Sequence, residues 1–378
     1  MKNTLYVCIL IVLFAYSAFM ISGCGSVTSA GSESLAGNAV KDIYLANQTL
    51  GGFFIVDPGT VSLIPLITTV ECEIVTLDAA ALVNGIAITA DKKRLFVLGI
   101  KPHGAGYPDT SSLLSVYDIS NESFSANYSY TFADSDEAFG NYILGFSTNG
   151  DTVYVARRRV VGIYEISTST GSITASFDAW TSSCDAFTGG AVGPDGMLYF
   201  GNHEFYTGGS VYRYNTTLTT HTVDAVIDYG ADGNCHFMRI NSAGTKLYVP
   251  MQGGLTSDIV HIVNIPSFAD SGASDTVGND PLDVGLSGNG KAYTPDFTSG
   301  KFSMFVISDN TTGGTDVLLD AGMGPNAIVM DDARNRAYVD GASLPRLSVI
   351  NTANDQLLKN IILPSSVGTD QMAFRLNK

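Results

Sequence analysis

Short apolar runs alternate with polar turns along most of this chain, and the alternation repeats. Each unit has a small apolar run, then a turn rich in Asp, Asn and Gly, then a β-rich run such as Leu-Tyr-Val. These turn residues accept the left-handed backbone conformations that tight hairpins require. The turn and the run after it recur at residues 89–97, 147–155, 193–200, 241–249, 287–294 and 331–339.

An aromatic residue marks the second strand of every unit. These aromatic anchors are spaced by 45 to 58 residues, and they are Tyr44, Phe96, Tyr154, Tyr199, Tyr248, Tyr293 and Tyr338. Each interval holds four strand-like runs, and near-continuous apolar runs indicate burial on both faces. Four-stranded units at this period predict propeller blades, because one four-stranded sheet cannot bury both faces alone. The expected fold is all-β, a seven-bladed β-propeller with four-stranded blades.

The two ends of the repeat region look like halves of one blade. Residues 372–378 match the innermost strand of a unit and stop where its turn would begin, whereas residues 42–48 match the strand that should follow. Pairing these segments would remove an exposed sheet edge and close the ring. We therefore expect the C-terminal strand to complete the N-terminal blade.

The amino-acid composition agrees with an all-β domain, and the net charge argues against one class of partner. The 378 residues are 45% hydrophobic and 15% charged, and the 40 glycines favour many tight turns over long helices. Twenty basic residues stand against 36 acidic ones, for a formal net charge of -16. This charge opposes binding to nucleic-acid backbones, so we expect no nucleic-acid partner.

The N-terminus has the pattern of an export signal. Lys2 precedes an apolar run at residues 5–21, and small residues follow it. Ile21, Ser22, Gly23 and Cys24 resemble a bacterial lipobox, in which the cysteine thiol receives a diacylglycerol group and becomes the lipidated mature N-terminus, with palmitate as a typical acyl chain.

This resemblance predicts a domain order and a location. Residues 1–23 form a lipoprotein signal peptide, residues 24–40 a flexible tether, and residues 41–378 the propeller. An uncleaved anchor helix is the alternative, since the apolar run approaches the length that spans a bilayer. Either interpretation places the propeller outside the cytoplasm, attached to the cell envelope at the outer membrane or cell surface.

The last unit carries a family resemblance. The turn, the Ala-Tyr-Val run and the segment Arg346–Leu363 resemble the YVTN-type repeat of bacterial and archaeal surface propellers. The resemblance covers residues 41–378 and is loose in blades 4 to 6, where Pro-Met-Gln or Pro-Asp-Phe replaces the usual Ala-Asn. It implies a propeller at the cell surface. Because the family includes lactonase-like enzymes and proteins with no known chemistry, it implies no activity.

Reactive side chains concentrate on one predicted face. Connections from second to third strand and links between blades lie on the same side of a propeller, which we call the candidate face. The residues that this rule gathers there as a candidate ligand site are His103, Arg157, Arg158, Arg159, Asp185, His203, Glu204, His236 and Asp283. The arginine run offers an anionic ligand site or a solvated charged surface.

Cys184 and Cys235 occupy similar places before the anchors of adjacent blades. In an oxidising compartment they could form a disulfide. Alternatively, Cys184, Cys235 and His236, with His203, could bind zinc or copper, although no CxxC or HxxxH spacing supports a metal site. Acidic stretches at 134–137 and 228–234 could hold calcium, but neither has EF-hand spacing.

Three functions remain open from the sequence. The chain has no GxSxG elbow, no glycine-rich phosphate loop and no CxxCH haem motif. The leading hypothesis is a non-catalytic envelope scaffold that binds a protein, glycan or surface polymer, with no cofactor. One rival is a lactonase-like hydrolase with a divalent metal, for which the candidate residues are Asp185, His203, Glu204, His236 and Asp283. The other is metal or redox handling through Cys184 and Cys235.

Overall fold

The computed structural model contains antiparallel β-sheets throughout the part of the chain it describes. The described residues are 40–47, 52–57, 73–76, 82–101, 111–133, 142–157, 162–178, 186–203, 209–216, 222–230, 233–252, 259–306, 311–312, 316–363 and 372–376. Within these ranges, no helix has the length and apolar character needed to cross a membrane.

The described strands form seven separate sheets, numbered here along the chain. Sheet 1 has the order β3-β2-β1-β30 and contains β1 (Val40–Asn47), β2 (Gly52–Val56), β3 (Glu73–Thr76) and β30 (Met372–Leu376). Sheet 2 contains β4 (Leu82–Ile88), β5 (Arg94–Lys101), β6 (Ser111–Asp118) and β7 (Ser123–Ala133). Sheet 3 contains β8 (Tyr142–Phe146), β9 (Thr152–Arg157), β10 (Gly162–Ser167) and β11 (Ile173–Asp178).

The next two sheets continue the same order. Sheet 4 contains β12 (Ala186–Val192), β13 (Leu198–His203), β14 (Ser210–Asn215) and β15 (Thr222–Asp228). Sheet 5 contains β16 (Asn234–Cys235), β17 (Arg239–Ile240), β18 (Lys246–Gln252), β19 (Ile259–Asn264) and β20 (Ala269–Thr276). In sheet 5 the innermost strand is split, because β16 and β17 both pair with β18.

The last two sheets complete the set. Sheet 6 contains β21 (Gly285–Leu286), β22 (Lys291–Asp296), β23 (Lys301–Val306), β24 (Thr311–Thr312) and β25 (Val317–Leu318). Sheet 7 contains β26 (Pro325–Asp331), β27 (Arg336–Gly341), β28 (Arg346–Asn351) and β29 (Gln356–Ile362), with one 3-10 turn at Asp332–Arg334. The predicted all-β propeller with four-stranded antiparallel blades is confirmed, and sheets 5 and 6 each carry one extra short strand.

The predicted pairing of the chain ends is present. β30 pairs antiparallel with β1, so that Ala373 lies opposite Tyr44 and Phe374 opposite Ile43. β1 begins at Val40, one residue inside the segment expected to be a tether. The C-terminal strand thereby covers the inner edge of β1, which would otherwise expose unpaired backbone groups.

The core lies between sheets. Each of seven clusters of buried apolar side chains joins two neighbouring sheets, and one cluster joins sheet 7 to sheet 1 through residues such as Val329 and Phe54. The seven aromatic anchors are all buried, at 3% exposure or less. Burial on both faces explains why the second and third strands have near-continuous apolar runs rather than alternating ones.

Candidate functional site

The structure tests only some of the predicted site residues. Those outside the described residues are Cys24, His103, Arg158, Arg159, Cys184, Asp185 and Glu204. Arg157 and His203, expected in loops, are the last residues of β9 and β13, and only their backbone is described. Cys235, His236 and Asp283 are the predicted residues whose side chains can be placed.

Asp283 forms an ion pair with Arg239 and also accepts hydrogen bonds from two backbone N–H groups. Its carboxylate accepts hydrogen bonds from Arg239 Nε at 3.0 Å and Nη2 at 2.7 Å. It also accepts the backbone N–H groups of Val284 at 2.8 Å and Ile328 at 3.2 Å. Arg239 belongs to sheet 5, Val284 immediately precedes β21 of sheet 6, and Ile328 belongs to sheet 7. Asp283 therefore ties three consecutive sheets together.

The surroundings of Asp283 favour a structural role. Its side chain is fully buried. Burial raises the pKa of Asp283, whereas the Arg239 guanidinium and the two backbone amides oppose that rise. Four donors directed at its oxygens favour the ionised carboxylate, and a bidentate arginine fixes its orientation. The expectation that Asp283 is a rim residue available to a ligand is wrong, because its oxygens are buried and engaged.

Cys235 and His236 lie in the innermost part of sheet 5, not in a link between blades as predicted. Cys235 ends β16 and is fully buried, with its Sγ 3.7 Å from Met251 Sδ. A Cβ at Gly201 of sheet 4 would collide with Cys235, so this glycine allows the two sheets to approach. Because Cys184 lies outside the described residues, the proposed disulfide stays a prediction.

His236 is also buried, at 1% exposure. Its backbone N–H donates to Pro250 O at 3.0 Å, which continues the pairing between β16 and β18. Its ring meets Phe237 edge-on, with the ring centroids 5.5 Å apart. Among the side chains that the structure places, no three His, Cys, Asp or Glu residues are grouped closely enough to hold a metal ion. His236 and Asp283 thus do not form the metal site of the hydrolase hypothesis with any third described ligand.

The sequence pattern did not indicate one unusual acid, Asp296. Asp296 ends β22 and is fully buried. Thr294 Oγ1 donates to its Oδ1 at 2.9 Å, and Ser303 Oγ contacts its Oδ2 at 2.5 Å. Burial raises the pKa of Asp296 to about 7, although the hydrogen bonds from Ser303 and Thr294 oppose the rise, while the nearby Asp316 adds to it. A carboxyl group that changes charge near neutral pH is a candidate functional group.

Asp296 could be recognised from the sequence by comparing equivalent positions in two repeats. Asp296 follows its anchor Tyr293 by three residues, as Asn202 follows Tyr199 in sheet 4. Asn202 is also fully buried, and its side-chain oxygen accepts the Ser210 backbone N–H at 2.5 Å. An aspartate at a buried position that holds asparagine in another repeat therefore indicates an unusual acid.

Comparisons with known proteins support the fold. No protein-family model matches the chain, and no curated protein matches it. A solved structure of Kuenenia stuttgartiensis hydrazine synthase is similar, with a TM-score of 0.64, 16% identity, and coverage of 89% of this chain and 97% of that chain. A protein of unknown function from Desulfotomaculum acetoxidans gives a TM-score of 0.60 and 11% identity over 88% of this chain and 98% of that chain.

A third similar structure is the dihydro-heme d1 dehydrogenase NirN, in complex with DHE. Its TM-score is 0.57 at 11% identity, and the match covers 86% of this chain but only 64% of NirN. At such low identities the likeness concerns the fold and carries no chemistry. The chain is thus an all-β propeller with four-stranded antiparallel blades, similar in fold to proteins of different activities.

Proposed function

We propose that this chain is a non-catalytic, lipid-anchored envelope protein whose propeller binds a protein, glycan or surface polymer on the candidate face. One observation carries the non-catalytic part of the proposal. Asp283, a candidate for the hydrolase, is fully buried and holds Arg239 and two backbone amides. A carboxylate occupied in this way stabilises the contacts between sheets and has no free oxygen for a metal or substrate.

We further propose that the seven sheets are the blades of one closed ring of the YVTN type. Support comes from the pairing of β1 with β30 and from the apolar cluster between sheet 7 and sheet 1. The resemblance of residues 331–363 to the YVTN repeat supports the family assignment. In this proposal residues 1–23 are a signal peptide, residues 24–40 a tether that ends where β1 begins, and Cys24 the lipidated residue.

The anchoring proposal is tested with Cys24→Ala in the full-length chain. Metabolic labelling with a clickable fatty acid should mark the wild-type protein and not the variant, because the thiol is the site of acylation. Fractionation should find the wild type with membranes. The matched control is Cys8→Ala, which alters a cysteine of the apolar run and should keep both the label and the membrane fraction. Labelling that persists in Cys24→Ala would refute the anchor.

The binding proposal is tested with detergent-solubilised full-length protein and isolated cell envelopes. Retention should survive metal chelation, and pretreatment of envelopes with protease or with glycosidase should separate a protein partner from a polymer. Replacing Arg157, Arg158 and Arg159 by serine should weaken retention about tenfold if an anionic group is bound, equivalent to about 1.4 kcal/mol. Replacing Lys92 and Lys93, in the turn before β5, is the matched control. Stoichiometric bound metal with metal-dependent lactone hydrolysis would overturn the scaffold proposal.

A further inference from the structure

The link between sheets 5 and 6, residues 277–283, lies against the end of β22. The Phe297 N–H donates to Asp280 O at 3.0 Å, and the Leu282 N–H donates to Pro295 O at 3.2 Å. Pro281 and Asp296 form an isolated antiparallel bridge between these two bonds. The link therefore acts as an additional edge segment beside β22, and its attachment depends on the residues that surround Asp296.

Gly278 brings the backbone of this link onto the Asp296 carboxyl group. A Cβ at Gly278 would come closer to Asp296 Oδ2 than real Cβ atoms approach heavy atoms. The Gly278 N–H donates to Ser303 Oγ at 3.0 Å, and the same hydroxyl contacts Asp296 Oδ2 at 2.5 Å. The link, the end of β22 and strand β23 thus meet at one hydroxyl group.

The number of protons at this hydroxyl depends on the state of Asp296. Ser303 Oγ also lies 3.2 Å from Asp316 Oδ1, so two carboxyl groups face one hydroxyl. When Asp296 is protonated, its proton can be donated to Ser303 Oγ, and the Ser303 proton is then free for Asp316. When both acids are ionised, a single hydroxyl proton must serve both. The protonated state lets Ser303 Oγ bond to both acids at once. The ionised state adds repulsion from Asp316, which the hydrogen bonds of Ser303, Thr294 and the Gly278 N–H to Asp296 only partly offset.

The charged groups around the cluster do not neutralise Asp296. On β23, Lys301 pairs with Asp316 at 3.0 Å, and both side chains are partly exposed. On the link, the Asp280 carboxylate accepts the hydroxyl of Thr298, and Asp283 is neutralised by Arg239. Within the described ranges, no lysine, arginine or histidine pairs with Asp296. Ionisation of Asp296 therefore places a charge without a counter-charge in a buried site, where only hydrogen bonds favour the ionised form.

We propose that Asp296, Ser303 and Asp316 form a proton-operated latch that holds the 277–283 link against sheet 6 in acid and weakens as the pH rises. The link belongs to the candidate face, so the latch makes the order of this face depend on the pH outside the propeller. This inference concerns conformation and does not depend on the proposed binding function.

The direction of the effect follows from linkage. The pKa of Asp296 is about 7 in the closed site. We expect it to fall towards its ordinary value of 3.8 when the link opens and water reaches the carboxyl group. Below the ordinary pKa both states are protonated and the latch has its full strength. As the pH rises towards the closed-state pKa, opening releases one proton and becomes easier by up to about tenfold per pH unit. Above about pH 7 both states are ionised and the effect levels off.

Hydrogen exchange of the full-length protein, followed by mass spectrometry, tests this latch. After correction for intrinsic exchange rates, protection of the 277–283 peptide should fall between about pH 4 and pH 7 and then level off. In Asp296→Asn the protection should be high and independent of pH, because the amide can donate to Ser303 Oγ as the acid does. In Asp316→Asn the pH at which protection levels off should be lower, because burial still raises the pKa of Asp296 but the smaller contribution from Asp316 is removed.

Either of two results would overturn the latch: protection in the wild type that does not change with pH, or protection in Asp296→Asn that keeps the wild-type dependence on pH. Should Asp296→Asn fail to fold, infrared difference spectroscopy of the ¹³C-aspartate-labelled wild type provides a second measurement. A carboxylic-acid carbonyl band should disappear as the pH rises through about 7, and Asp316→Asn should shift its midpoint downwards. Absence of a titrating band that responds to Asp316→Asn would refute the proposal.

Discussion

Two fully buried aspartates, one in sheet 6 and one in the link that precedes it, have opposite surroundings. Asp283 receives a bidentate guanidinium and two backbone amides, whereas Asp296 is surrounded by two hydroxyl groups and a second carboxylate. Asp296 ends β22 and Asp283 lies in the link just before β21, and burial raises the pKa of both. The difference shows that burial alone does not determine the role of an acid. The partner decides whether the acid fixes the structure or can change charge near neutral pH.

The largest predicted effect comes from removing the partner of Asp283. Arg239→Met keeps most of the side-chain volume but leaves a buried carboxylate without its cation. We expect a loss of about 3–5 kcal/mol in the free energy of unfolding, measured by denaturant titration at pH 8. Arg213→Met is the matched control, because the Arg213–Asp224 pair is partly exposed. It should cost less than about 1 kcal/mol. Similar losses in the two variants would remove the distinction between buried and exposed pairs.

The same substitution at the two aspartates should have opposite effects. Asp283→Asn leaves Arg239 without a counter-charge and should destabilise the protein by about 2–4 kcal/mol at pH 8. Asp296→Asn removes a charge that the fold disfavours above about pH 7, and should raise the free energy of unfolding by about 1–3 kcal/mol at pH 8.

This difference should also depend on pH in a defined direction. The closed-state pKa of Asp296 is raised, so its favourable contribution is complete below pH 3.8 and is lost as the pH rises through about 7. The gain in the free energy of unfolding that Asp296→Asn gives over the wild type should therefore decrease as the pH is lowered from 8 towards 4. Unfolding titrations of wild type and variant across this range measure it. A difference in the free energy of unfolding that stays the same across this pH range would mean that Asp296 does not titrate in the folded protein.

The smallest predicted effect concerns the backbone contact of the latch. Gly278→Ala places a methyl group against the Asp296 carboxyl, and the link must shift because the obstacle is held by Ser303 and Thr294. We expect a loss of about 1–2 kcal/mol, together with exchange of the 277–283 peptide that is fast at every pH. Gly288→Ala is the control, since its nearest neighbour is the Asp332 carboxylate at 3.2 Å, and it should cost less than about 1 kcal/mol. Equal losses would argue against close packing at Gly278.

The sequence predicts the fold well because propeller strands carry their signal locally. Each hairpin has its own turn residues and apolar run, and every aromatic anchor lies in the second strand from the inner edge of its sheet, as predicted. The pairing of β1 with β30 was also predictable, because each end of the repeat lacks what the other supplies. Among the described residues, the differences from the prediction include the split innermost strand of sheet 5, the two short strands β24 and β25 of sheet 6, and the start of β1 at Val40.

The candidate site was less predictable because its determinants are far apart in sequence. Asp283 looks like a rim acid until Arg239 and Ile328, contributed by other sheets, are known to bind it. His236 and Cys235 are polar or reactive by type, but their burial depends on the split inner strand of sheet 5. In the sequence, the pair Pro295-Asp296 stands where the repeat usually has Ala-Asn. This difference alone does not indicate an acid with a raised pKa. The importance of Asp296 depends on Ser303, Gly278 and Asp316, which the fold brings together.

The pairing of β1 with β30 has a consequence for the order of events during synthesis. Sheet 1 receives three strands from the first part of the chain and its innermost strand from the last part. During synthesis, the inner edge of β1 stays unpaired until β30 has been made, which happens after β2 to β29. A chain cut short by a premature stop codon would never cover this edge, and such unpaired edges attract other strands. Copies that stop before β30 are therefore expected to aggregate or be degraded.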